Sequence, residues 1–424
     1  MRVDLHRSLT ASRLAQLWYV PLLGTAMILM LLRTLVLARI LDVDGFAKFS
    51  GALLVSGTFC MLNCLGLLQL LQRELPIQLV RGRGTAGHIL LAQCVIVAAG
   101  CAVLGVAAAL AGVSAAGLSP TLFGIAVIHG CSQEVFLVAT VESRSRGQPL
   151  QFARQNFVRS ISILTLGSLV AVATRSAMWT LTTEAALSFG LTHQALRMVW
   201  ARSVAPPGAI YGLAFRRLGQ LSWSSATSLM VVTMVGFVVL NADRWVAAQF
   251  LTPSVFAKYA FAWTVLLVAQ ASQAIINTSI YPLLARRFAG SGPGAAYRVC
   301  SYASLGLLVG GAILALPAFL LIDAAIVRWF PAYDGARTLL PIFFGIAVLR
   351  VSDFWSSFLI ITRRERTLIA INLAAAIVAA AVWFLWLGFS MQAMGLRDVA
   401  VLAALLTGSA YAGSALGALR GAKA

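Results

Sequence analysis

Charge is scarce in this chain. Only 11% of its 424 residues are Asp, Glu, Lys or Arg, and the acidic ones number 13. So little charge cannot cover a soluble domain of this length. With 60% hydrophobic residues and a mean hydropathy of +0.90, the composition is that of a polytopic membrane protein. The net charge of +19 would point to nucleic acid in a soluble protein. On membrane loops it is a topology signal, and no nucleic-acid partner is expected. Cysteine is also sparse. Cys60, Cys64, Cys94, Cys101, Cys131 and Cys300 all fall in apolar stretches, which excludes a disulfide framework in outer loops. Cys60 and Cys64 share a helix face with no His or acid beside them in sequence, so they read as small packing residues and not as metal ligands. There is no G-x-x-x-x-G-K-[S/T], no H-E-x-x-H and no G-x-S-x-G. Neither ATP hydrolysis nor zinc or serine hydrolysis is expected, and no cofactor or metal is implied. The outer loops are short. The longest, near Asp323–Arg337, leaves no platform for an enzyme working outside the membrane.

Long apolar runs are what the chain has. Windows of about 20 residues predict an all-α polytopic protein with twelve spans: 16–38, 46–70, 88–112, 119–141, 157–174, 178–199, 219–241, 256–280, 299–322, 338–361, 368–389 and 398–419. The fifth and sixth are the least distinct, since only Arg175-Ser176 separates them. Most of the 32 Lys and Arg fall on one side. That side holds Arg2, Arg7 and Arg13, Arg144, Arg146, Arg154 and Arg159, Arg363, Arg364 and Arg366, and Lys423. The bias places both termini in the cytoplasm. The first apolar run passes Met30, too long for a cleaved signal peptide, so span one is an anchor.

The second half repeats the first. Val36–Ala52 aligns with Val246–Ala262 at a shift of 210, and seven of the 17 paired positions are identical, including Phe46-Ala47-Lys48 against Phe256-Ala257-Lys258. Phe49 faces Tyr259. Glu134 and Arg144 echo Asp353 and Arg363. The expected organisation is two pseudo-symmetric six-helix lobes, 1–200 and 217–424, joined by a cytoplasmic linker, 201–216, in which Pro206-Pro207 breaks any helix. Duplicated apolar halves are typical of transporters, with the substrate site between the repeats. Gly306/Gly310 and Gly413/Gly417 have the spacing for close helix contact, or arise by chance among 35 glycines.

A charge in mid-span costs roughly 2.5–3.5 kcal/mol and needs a partner or a watery cavity. Arg350 and Asp353 are three apart on one helix face and can pair. Glu134 lies at the depth of Asp353. Arg33 is either a site residue or a snorkelling one. His129 and His193 read as hydrogen-bonded core histidines. Asp42-Val43-Asp44-Gly45 has turn chemistry, as does its copy Thr252-Pro253-Ser254; the other reading of Asp42-x-Asp44 is an acidic pair of a membrane glycosyltransferase.

A family resemblance rests on short motifs. Arg39-Ile-Leu-Asp-Val-Asp-Gly45-Phe46 resembles the R-x-L-G-x-x-x-F/Y-G hairpin of polysaccharide flippases of the MOP (MATE-like) superfamily, the Wzx-type proteins. Asp42 departs from it where that family usually has Gly. Asn241-Ala-Asp243-Arg244 with Tyr259-Ala260 is similar to the motif opening their second lobe. Gln72–Arg83, with Pro76, and Tyr281-Pro282 with Arg286-Arg287 are similar to their cytoplasmic loops. The resemblance implies an inner-membrane flippase for oligosaccharide repeat units on undecaprenyl pyrophosphate, serving O-antigen or exopolysaccharide synthesis by alternating access. It implies as partners the lipid bilayer, a polysaccharide polymerase and glycosyltransferases. Arg33, Arg350 and Arg244, the last at the outer mouth, are then the candidates for the pyrophosphate. Glu134, Asp353 and Asp243 are candidates for ion coupling or cavity lining. Three other readings stand beside it: a MATE-type cation or drug antiporter, a peptidoglycan-precursor flippase, and a membrane glycosyltransferase. The first usually carries an acid in span one, where Ala15–Ala38 has none; the second usually has more spans.

Overall fold

The computed structural model describes residues 2–390 and 394–423, with side chains described except at 2–17, 274–275, 277–279, 282, 285, 289, 389–390 and 423. The side chains of Arg2, Arg7, Arg13, Pro282 and Lys423 therefore lie outside the described residues. Regular structure among the described residues is helical throughout. Eleven segments are long and apolar enough to cross a membrane. The twelfth expected span, 178–199, is a helix of 24 residues, Ala177–Trp200, but it falls outside that set. Glu184, His193, Arg197 and a series of threonines make it too polar.

The chain forms two compact units, Met1–Met234 and Val235–Ala424. Unit 1 contains α1 (Arg2–Ile40), α2 (Val43–Asn63), α3 (Leu67–Val80), α4 (Gly84–Leu110), α5 (Pro120–Ser145), α6 (Pro149–Ser162), α7 (Ser168–Thr174), α8 (Ala177–Trp200) and α9 (Pro207–Arg216). A π-helical turn, Ile163–Gly167, carries α6 into α7. α5 is the hub: α2, α4 and α8 pack on it, while α1 packs on α6. Ser119 caps α5 and Pro120 opens it, a favoured start because proline lacks only an N–H that would be unpaired there. Gly130 lets α2 and α5 meet backbone to side, since a Cβ there would lie 2.6 Å from the Ser56 carbonyl oxygen.

The segment after Pro206-Pro207 is not a plain linker. Residues 207–216 form α9, whose Ile210 and Ala214 bury against Ala92 of α4. Gln93 on α4 donates to the carbonyls of Ala214 and Arg217. α10 (Trp223–Phe250) begins in unit 1, where Gly66 (φ +83°) abuts the Ala226 carbonyl. Burial of these groups, rather than the composition of the linker, places the division beyond residue 217.

Unit 2 continues with α11 (Pro253–Trp329), a 3-10 stretch Pro331–Leu339, α12 (Leu340–Ser352), α13 (Trp355–Ile361), α14 (Glu365–Ser390) and α15 (Leu396–Lys423). α11 is interrupted at Gly292, whose φ of +77° no helix accommodates. Arg337 closes the segment after α11 with hydrogen bonds to Asp323 at 2.6 and 3.0 Å. Gly413 and Gly417 do bring α15 onto α14, with built Cβ atoms 2.6 and 2.8 Å from Ile371. Gly306 and Gly310 face open space, so their spacing carries no helix contact.

Asp42 resolves as a helix cap. Its carboxylate accepts from the Gly45 N–H at 2.8 Å and opens α2, and Thr252 stands at the N-cap of α11, its repeat position. Asp42→Ala is expected to cost about 1 kcal/mol, and Asp42→Asn close to nothing, because Asn caps equally well. Thermal unfolding of the purified variants measures this. Loss of transport in a folded Asp42→Asn, Asp44→Asn double variant would instead favour the acidic-pair reading.

Candidate functional site

In unit 1, four helices bring charged groups to one buried place. Arg33 on α1 is 4% exposed and Glu184 on α8 is fully buried. Arg33 Nη1 donates to Glu184 Oε2 at 3.0 Å, and its guanidinium lies 5.3 Å from the Phe49 ring centroid. His129 on α5 reaches the same Oε2 with Nε2 at 3.4 Å and meets Ser56 Oγ with Nδ1 at 2.8 Å. Arg159 on α6 donates from Nε to Ser188 Oγ at 3.2 Å and lies over the Phe136 ring at 4.8 Å. It is within Coulombic reach of both Arg33 and Glu184. Gly167 in the π turn packs against Glu184, whose carboxylate would stand in ordinary contact, 3.5 Å, from an added Cβ.

Arg33 therefore does not snorkel. α1 runs on to Ile40 and turns this side chain into the bundle, where an acid at matching depth neutralises it. His129 sits in the core as expected, whereas His193 is exposed. Glu184 and Arg159 were not singled out from sequence: one was an acid in an indistinct span, the other one arginine among several in a basic stretch. The count of charges is informative. Two guanidiniums share one carboxylate, and Arg33 Nε, Arg159 Nη2 and Glu184 Oε1 have no hydrogen-bond partner.

Glu134 stands apart from this cluster. It is 3% exposed on α5, and its Oε2 accepts from Cys60 Sγ at 3.3 Å. No Lys, Arg or His among the described residues forms an ion pair with it. Asn63, also buried, lies beside the Cys131 thiol and finds no nitrogen or oxygen partner for its amide.

Unit 2 places a second cluster at the repeat-related positions. A shift of 210 carries Arg33 to Asp243 and Phe49 to Tyr259. Charge and ring change together: Asp243, fully buried on α10, accepts from Tyr259 Oη at 2.6 Å. Arg350 on α12, 4% exposed, is within Coulombic reach of Asp243 and donates from Nη2 to the Leu240 carbonyl at 3.2 Å. Arg244 stacks its guanidinium 4.2 Å over the Trp263 ring and also reaches Asp243 electrostatically. Again two guanidiniums attend one carboxylate, and Arg350 Nε and Nη1, Arg244 Nε and Asp243 Oδ1 are unpartnered.

The expected Arg350–Asp353 pair does not form. α12 ends at Ser352, and Asp353 (φ −77°, ψ 84°) leaves the helical face that would have placed it beside Arg350. Its carboxylate caps α13 instead, accepting from Ser356 Oγ at 2.7 Å and from the Ser356 N–H at 3.3 Å. Both residues still border one cavity of ≈ 230 Å³ in unit 2, with Gln273, Asn372, Thr407 and Tyr411. Arginine, carboxylate, amide and hydroxyl groups there suit a small polar or anionic group.

No protein-family profile matches the sequence, and no curated sequence is significantly similar to it. Solved structures do match over nearly the whole chain. A eukaryotic MATE transporter superposes with a TM-score of 0.58 at 13% identity, covering 97% of this chain and 98% of that one. The lipid II flippase MurJ in an inward closed conformation gives 0.56 at 10% identity, with 95% and 87% covered. The MATE transporter ClbM in complex with Rb+ gives 0.56 at 12% identity, with 95% and 93% covered. The chain thus has the fold of these transporters and this flippase.

Proposed function

We propose that this protein translocates a lipid-linked anion, specifically an oligosaccharide repeat unit on undecaprenyl pyrophosphate, across the bacterial inner membrane for surface-polysaccharide synthesis. One observation carries the reading. One cluster in each unit gathers two guanidiniums around a single carboxylate, Arg33 and the half-buried Arg159 around Glu184, Arg350 and the half-buried Arg244 around Asp243, a surplus cation in each cluster. A site built for a cation would have the opposite balance. Guanidinium is the group of choice for phosphate, because its fork matches two oxygens at once. Arg350 is the first candidate for the pyrophosphate, since two of its nitrogens are unmet. Arg244 supports it. Arg33 is already committed to Glu184, so its role is to hold the cluster and offer its remaining Nε. Glu134, Asp243 and Asp353 are the carboxylates through which an ion gradient would act. The basic segments on the side of both termini make that side cytoplasmic, where glycosyltransferases would deliver the cargo, with a polymerase consuming it opposite.

The test is transport in proteoliposomes. Labelled undecaprenyl-pyrophosphate oligosaccharide is expected to become accessible on the far side, while organic-cation efflux stays at background. Cation efflux without lipid transport would establish the antiporter reading. Transport of a peptidoglycan precursor in preference to the oligosaccharide would move the assignment to that class of flippase.

A further inference from the structure

α6 and α8 are neighbours in sequence but not close companions. α6 packs chiefly on α1 and α8 chiefly on α5, and the two meet at few points, Arg159 with Ser188 and Gln151 with Met198. A cavity of ≈ 570 Å³ lies between them, and from the shared Leu191 a more open depression of ≈ 510 Å³ continues along the face of α8, bordered on α6 by Ser162 alone; together they make one shallow groove along α8. Along α8 its wall follows Trp179, Thr183, Leu187, Leu191, Gln194 and Met198, a stripe at helical spacing. That stripe is about 28 Å long at 1.5 Å per residue, close to the ~30 Å hydrocarbon thickness of a bilayer.

The two ends of the groove differ. Where α6 begins and α8 ends, it is bordered by Arg154, Arg202, Gln151 and Gln155. Arg202 is partly engaged, donating to Glu142 at 3.1 Å and to Gln151 at 3.3 Å. Arg154 is exposed and in no ion pair among the described residues. At the opposite end stands Trp179, an amphipathic ring of the kind that sits at a membrane surface. The middle is apolar: Val158, Leu187 and Leu191. A cationic head and a long apolar body match a lipid phosphate with its chain. An acyl chain of a bilayer phospholipid reaches through one leaflet only, half of this length. A polyprenyl chain fills it.

We propose that the α6/α8 groove of unit 1 holds the polyprenyl chain of the carrier lipid, with Arg154 and Arg202 meeting its phosphate at a first docking position, separate from the Arg350 cavity that takes the pyrophosphate during transport. This rests on the reading above that the cargo is lipid-linked, and adds that the protein seats the carrier's chain instead of leaving it in bulk bilayer. Seating the chain would keep the head near the mouth of the transport path and would make polyprenyl length a determinant of recognition.

The experiment uses the full-length protein in detergent, with undecaprenyl phosphate as the probe and native mass spectrometry as the readout. Wild type is expected to retain one undecaprenyl phosphate in preference to undecaprenol or phosphatidylglycerol. Arg154→Ala removes a charge-assisted contact without touching a packed group, and should weaken retention about 10-fold. Gly190→Phe fills the groove: a Cβ at Gly190 meets no atom within 4 Å, so the ring enters without a clash. It should abolish retention, and Gly190→Ala should not. If Gly190→Phe fails to fold, Arg154→Ala decides alone. Equal retention by wild type and both variants overturns the proposal, as does displacement of the probe by an equal amount of phosphatidylglycerol, which would make this an ordinary bilayer-lipid site. The outcome is separable from the cargo reading. Groove binding lost in the variants while wild type transports no oligosaccharide defeats the cargo assignment and keeps the groove; transport with groove-independent binding does the reverse.

Discussion

Glu184→Ala is expected to destabilise unit 1 more than any other single change at the buried cluster, by about 3–5 kcal/mol, the usual result of removing one partner of a buried ion pair. The carboxylate is fully buried and is the counter-ion for Arg33, with Arg159 in Coulombic reach and His129 beside it. Its loss leaves two guanidiniums facing each other in a low-dielectric interior. Arg33→Ala should cost less, because Arg159 still attends Glu184. Combining Arg33→Ala with Glu184→Ala should recover much of the loss, since like-charge crowding is gone and one cation remains with its Ser188 partner. Thermal unfolding in detergent, with expression level as a second readout, ranks the three. If Glu184→Ala unfolds like wild type, the cluster is hydrated and the pair is not a structural element. If Arg33→Ala is the worse of the two singles, the charge balance argued here is wrong.

Arg350→Ala should leave unit 2 folded but stop transport. Its guanidinium makes one hydrogen bond, to a carbonyl, and leaves Nε and Nη1 unmet beside a cavity. Asp243 keeps Tyr259 and the nearby Arg244 after the change. If the two free nitrogens take a phosphate, their loss at about 1.5–3 kcal/mol each reduces cargo binding by 100-fold or more. Arg350→Lys should remain well below wild type, because a single ammonium cannot span two oxygens. The measurement is oligosaccharide transport in proteoliposomes at matched protein level. Arg350→Ala with wild-type transport returns Arg350 to a packing role. Removing Asp353 together with Arg350 should give no rescue, since Asp353 serves Ser356 and not Arg350.

Several features were legible in the residues because they are local or additive. Hydropathy windows located the apolar spans, and eleven stand as long apolar helices. The turn chemistry of Asp42-Val43-Asp44-Gly45 became the cap of α2. Tyr259 was visible as the mate of Phe49 and in one motif with Asp243; that its hydroxyl bonds the Asp243 carboxylate only the folded helices α10 and α11 show. The site was legible in part. Arg33 and Arg350 stood out because a charge in a span is expensive, Asp243 only through the Asn241-Ala-Asp243-Arg244 motif, and all three are buried. Their partners did not, since α1 and α8 meet 151 residues apart. One clue was present: Arg33 and Glu184 each lie seven residues inside a helix end, at Ile40 and Ala177, so their depths match. The Arg350–Asp353 spacing misled because periodicity assumes a continuous helix, and α12 stops at Ser352.

Composition and hydropathy alone determined that this chain is helical and apolar, because apolar length and charge scarcity act on each segment independently of its neighbours. Only the tertiary structure decided which buried charges neutralise one another, that α9 packs on α4, and that α6 and α8 part to leave a groove. These depend on which helix faces meet. A helix has several faces able to bury apolar surface, and hydrophobicity in a membrane scarcely distinguishes them; close packing at Gly130 and ion pairing at Glu184 make the choice.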